Sequence, residues 1–171
     1  YHAAPEGTCS ADIKRAVDTL NSGGVETLVI LGGNPVYDAP ADLAFGTAMG
    51  KAKSAVHLSF HRNETSRSSA CTWHVPAAHF LESWGDTTAW DGTVAVQQPL
   101  IDVLIDHAQG GHSAIEFCAM LAGEKDARGA TLVRAAHAAR QGGTADESAW
   151  RTLLEAGVIA GTASAPAAVA A

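Results

Sequence analysis

The chain is expected to be an α/β protein: a doubly wound, mainly parallel sheet with a helical C-terminal part. Leu28–Leu31 is an uninterrupted apolar run too short for a helix, the pattern of a strand buried on both faces of a parallel sheet. "AVHLSF", Ala55 to Phe60, reads as the next strand, and a helix-like stretch separates the two, which makes a βαβ unit. Beyond about residue 109 the pattern turns helical, with two Ser/Thr-x-x-Glu capping boxes.

Each element has a local reason. Ser10 can cap a helix carrying Ile13, Val17 and Leu20 on one face, and "NSGG", Asn21 to Gly24, ends it. After the first strand come Gly32, Gly33, Asn34 and Pro35. Asp38 and Pro40 are then expected to open one short helix through about Lys51. The second strand runs into a polar stretch, "HRNETSRSSAC", and "TWHVP" reads as a third strand ending at Pro76. "GTVAVQQPLI", Gly92 to Ile101, looks extended. Ser113 with Glu116 and Thr144 with Glu147 form the capping boxes, "ATLVRAAHAAR" is a helix over Ala130–Arg140, and Gly123 and Gly157 fall where helices stop. The expected organisation is an α/β core over 1–108, a helical extension of the same domain over 109–161, and the start of an Ala/Pro-rich linker over 162–171. With a sequence that opens on Tyr1, that linker suggests an internal fragment.

Composition removes several functions. With 47% hydrophobic residues in 171, a real core can form. A net charge of -7 with only 11 Lys and Arg leaves no basic stripe for phosphates, so no nucleic-acid partner is expected. No stretch approaches the ~20 apolar residues that span a bilayer, so no direct membrane insertion by this segment is expected. Cys9, Cys71 and Cys118 are scattered, without Cys-x-x-Cys spacing, which argues against a zinc site, a disulfide framework or an iron-sulfur cluster held by this segment alone.

The chemistry-bearing residues fall into two groups. The bend Gly32–Pro35 sits at the carboxyl end of a parallel strand, where open α/β sheets bind ligands. Its glycines admit close backbone approach, and Asn34 offers a donor and an acceptor. The same residues also serve an ordinary turn, and Gly-Gly-Asn-Pro is neither a dinucleotide fingerprint nor a phosphate loop. His57, His61, His74 and His79 with Glu64, Glu82 and Asp86 form the second group. Four residues along a strand separate His57 and His61 by ~13 Å, too far to chelate one ion, and Cys71-x-x-His74 lacks a second pair. No metal ligands are assigned. Ser66, Ser68 and Ser69 have no nucleophile elbow around them, and no catalytic residue is assigned. The four tryptophans read as core or interface fillers.

Taken in order, "LVILGGNPVYDAPADL", "ETSRSSACTWHVPAAHFLESWGD" and "DGTVAVQQPLI" resemble the molybdopterin oxidoreductase family. There a strand ends in a Gly-x-Asn-Pro loop, a second is followed by Glu-Thr, and a third ends in Leu-Pro-Ala-x before Glu and Gly. Glu64-Thr65, the Val75–Ala78 segment, Glu82 and Gly85 match. "WHVPAAHFLESWGD", "GGHSAIEF" and "ESAWRTLLEAGVIAGTA" give a narrower likeness, from about Ile13 to Ala163, to the molybdopterin-enzyme-like domain in large iron-sulfur subunits of bacterial alternative complex III. That likeness implies a scaffold domain without a molybdenum cofactor, within an oxidoreductase subunit whose iron-sulfur clusters lie elsewhere in the parent chain. It further implies other subunits of a membrane-bound respiratory complex as partners, quinol oxidation as the task, and a peripheral place on the periplasmic face of the cytoplasmic membrane. The segment would then have no complete active site of its own. The alternative is the cofactor-binding domain of a genuine molybdenum bis-guanine-dinucleotide oxidoreductase, in which Gly32, Gly33, Asn34, Pro35, Glu64 and Thr65 contact molybdopterin guanine dinucleotide. One departure bears on the choice: the family's Ala-Asp-Val-Val-Leu-Pro is "CTWHVP" here, which is expected to fill space and alter charge beside the loop.

Overall fold

A computed structural model describes residues 9–104, 111–140, 142–143 and 146–165. The structure is mixed α/β, and it separates into two compact units, one of residues 9–77 with Gly111, the other of 78–104 and 112–165.

The first unit contains α1 (Cys9–Asn21), β1 (Thr27–Leu31), α2 (Pro35–Asp38), a 3-10 turn (Ala41–Leu43), α3 (Phe45–Met49), β2 (Ser54–Ser59), α4 (Glu64–Arg67) and β3 (Trp73–Pro76). The described part of α1 starts at Cys9, so Ser10 lies within the helix rather than before it. Val17 and Leu20 are buried on its inner face, and Gly23, at φ 75, turns the chain out of it. The single helix expected over 38–51 is broken in three. Pro40 has no N–H to donate and holds Ala39 extended, at ψ 149, and Ala44 then takes a left-handed conformation, φ 46 and ψ 48, before α3. The polar stretch after β2 contains the one-turn helix α4.

The three strands form a parallel sheet in the order β1-β2-β3. Leu28 is level with Ala55 and Ile30 with His57, and this face packs against Val17 and Leu20 of α1 and Phe45, Ala48 and Met49 of α3. The opposite face carries Val29, Val56 and Trp73 in one row. There Val29 is 36% and Trp73 66% exposed, and Leu31 in the next row is 48% exposed. The expectation that β1 is buried on both faces is therefore wrong. Its apolar run is continuous, but α1 and α3 cover only alternate residues.

The second unit pairs β4 (Gly85–Thr88) with β5 (Val94–Gln97) in an antiparallel ladder. The extended segment 92–101 is thus half of a hairpin whose first strand, "GDTT", has no apolar pattern to announce it. Beside the hairpin lie α5 (Ala114–Leu121), α6 (Gly129–Arg140) and α7 (Glu147–Ala156). Val133, Trp150 and Leu153 form the core, with Trp84, Val96 and Ile159 against it. Ser113 and Glu116 cap α5 reciprocally, as expected. The other proposed box is not the cap of α7: Thr144 lies outside the described residues, Glu147 is the first helical residue, and Asp146 accepts from the Ser148 and Ala149 N–H groups. Thr162, expected to begin a linker, accepts from the Val94 N–H at 2.9 Å and donates to the Ile159 carbonyl at 2.7 Å. Residues 166–171 are outside the described chain.

Candidate functional site

The bend after β1 is built on two consecutive left-handed glycines, Gly32 at φ 72 and Gly33 at φ 67, a conformation costly for any residue with a Cβ. Gly32 continues the ladder by donating to the Leu58 carbonyl at 2.7 Å. Asn34 then caps α2 through its backbone, its carbonyl accepting from Tyr37 and Asp38 N–H, both at 2.8 Å. Pro35 occupies the first turn, where a missing N–H costs nothing. The Asn34 side chain makes no cap. It reaches across to the start of α4.

That second loop lies at the end of the neighbouring strand and carries the Glu64-Thr65 pair. Asn34 Nδ2 donates to Glu64 Oε2 at 2.6 Å, and Asn34 Oδ1 accepts from the Thr65 N–H at 3.1 Å and the Thr65 hydroxyl at 2.8 Å. The fully buried Thr65 hydroxyl in turn accepts from the Val36 N–H at 3.1 Å. Asn63 caps α4 with Oδ1 and with its Nδ2 donates to the Gly33 carbonyl at 3.2 Å. His57 Nε2 lies 3.2 Å from the same oxygen; a carbonyl only accepts, so that nitrogen carries the hydrogen.

All six residues singled out at the two loops thus occupy one small region of the first unit, with Gly33, Asn34 and Pro35 facing Glu64 and Thr65. Sequence inspection missed Asn63, His57 and His74 as members. Asn63 had a signal, an Asn three residues before Ser66, the spacing of the reciprocal cap it forms. The two histidines had none, because His57 and His74 come level only through the β2–β3 register. Their rings meet edge to face at 6.1 Å. His74 Nε2 lies 3.1 Å from Ser59 Oγ, and burial pushes its imidazole below the ordinary histidine value, partly offset by the Ser59 carbonyl.

Beside the bend is a cavity of about 460 Å³ lined by Ile13, Gly33, Asn34, Pro35, Asp38, Ala39 and Pro40. Its charge is unfavourable for phosphates. Asp38 is in the wall, and Glu64, held below the usual carboxylate range chiefly by the Asn34 amide, stands behind Asn34. The Gly32 N–H that could join an anion-binding nest is spent on Leu58.

The other candidates have structural roles. His79 and Glu82 cap the 3-10 turn Phe80–Glu82 reciprocally, Nδ1 accepting from the Leu81 N–H at 3.2 Å and Glu82 Oε2 from the His79 N–H at 3.1 Å. Asp86 pairs with Arg140 at 2.7 Å. His61 lies beyond the end of β2. Of "CTWHVP", expected to fill space beside the loop, only His74 packs near it, against the His57 ring that reaches the Gly33 carbonyl; Trp73 stands exposed at the far end of β3, Thr72 accepts from the Ala55 N–H, and the Cys71 thiol, raised by burial, contacts the Trp73 carbonyl at 3.3 Å. Among the described residues no three His, Cys, Asp or Glu side chains gather closely enough to hold a metal ion.

No protein-family model matches this chain, and no curated protein matches it.

Proposed function

We propose that the chain is scaffold: part of a doubly wound, molybdopterin-oxidoreductase-like domain without its cofactor, in the iron-sulfur subunit of a quinol-oxidising respiratory complex of the alternative complex III type. The observation that carries the scaffold role is the closure of the Asn34 side chain on Glu64 and Thr65. In a nucleotide site, amide groups at the ends of parallel strands face the ligand. Here the amide oxygen accepts two bonds from Thr65 and the amide nitrogen donates to Glu64, all between two loops of the same unit. The parallel sheet and the sequence order of the loops favour the family. On this reading the domain sits peripherally on the periplasmic face of the membrane among other subunits, and electrons travel through clusters elsewhere in the parent chain.

The cavity beside Asn34 favours the second reading, a molybdopterin guanine dinucleotide site using Gly32, Gly33, Asn34, Pro35, Glu64 and Thr65. The two separate in one measurement on the full-length protein purified from its source: molybdenum by mass spectrometry and guanine nucleotide released on denaturation. Neither in stoichiometric amount is the expected result. About one molybdenum and about two guanine nucleotides per chain would establish the second reading instead.

A further inference from the structure

We draw no further inference here: the strongest candidate, the cavity of about 640 Å³ that α6 and α7 line with Trp84 in the second unit, has its Arg134 already paired with Glu147 at 2.7 Å, and nothing in the structure shows what covers its open apolar wall.

Discussion

Replacing Asn34 with alanine distinguishes a loop that braces the fold from one that waits for a ligand. The φ there is negative, at -144, so no left-handed conformation is imposed on alanine, and the Asn34 carbonyl still receives Tyr37 and Asp38, so α2 keeps its start. What disappears is the acceptor for two Thr65 donors in a residue with no solvent exposure. A buried donor left without a partner costs ~1–3 kcal/mol. The Thr65 hydroxyl can rotate and Asn34 is partly open to water, which trims the total to about 2–3 kcal/mol. The lost Glu64 contact adds little, since that carboxylate rehydrates. Thr65→Val removes the other half of the contact and strands the Val36 N–H, at ~1–2 kcal/mol. Because the two substitutions break shared bonds, the double variant should fall short of their sum by ~1 kcal/mol. Urea titrations followed by circular dichroism, with exchange of the β2 amides as a local reading, give all three values. A cost for Asn34→Ala below ~0.5 kcal/mol with simple additivity would refute the bracing argument.

Other expectations follow from burial and charge. Trp150→Ala, at 7% exposure in the second core, should cost ~3–5 kcal/mol, and Trp73→Ala, at 66%, less than ~0.5 kcal/mol; thermal unfolding of both variants checks the contrast. Gly129→Ala would place its Cβ 3.1 Å from Trp84 Cβ and 3.1 Å from Glu116 Oε1; the Trp84 atom is fixed to its backbone, so a loss of ~1–3 kcal/mol is expected in urea. The Glu64 carboxyl is lower in the folded chain than unfolded, so its contribution is complete above ~4.3 and vanishes as pH falls through the folded value. The stability gap between wild type and Glu64→Gln should therefore shrink as pH falls below ~4.3, and a constant gap would exclude the Asn34 contact as its source.

How much of this could be read from the letters depends on the range of the interaction. Leu28–Leu31, Ala55–Phe60 and "TWHVP" were legible as strands because their evidence is local, and they are joined in parallel as the intervening segments required. The Ser113 box was legible for the same reason. The helix over 38–51 failed although its apolar residues do face the core, because Pro40 and the left-handed Ala44 act on the backbone between them. At the site, the two loops could be named separately, but their bonds join residues 30 and 31 apart in the chain. The open face of β1 was illegible in principle: a continuous apolar run reads alike whether both faces are covered or one is.

A single device recurs in both units and bears on how such loops acquire or lose a ligand. At the bend, Asn34 bonds the start of α4. In the second unit, Glu116 uses one carboxylate oxygen to cap its own helix at Ser113 and the other to accept from the Gly129 N–H, which begins α6, at 2.8 Å. At the 3-10 turn, Glu82 Oε2 closes on His79. In each case a side chain of the kind that could serve a ligand satisfies backbone at the start of a helical turn. Such groups are limited in capacity: an amide oxygen accepting two bonds has little left for a guest, and the guest must then repay the protein for the bonds it breaks. A dinucleotide seated at the bend would have to release Thr65 and Val36 inside a buried loop while meeting the charges of Asp38 and Glu64. The loop sequence alone is therefore compatible with a cofactor site, but the bonding between the loops opposes one. The relevant difference is which donors and acceptors remain free after the fold has used its own.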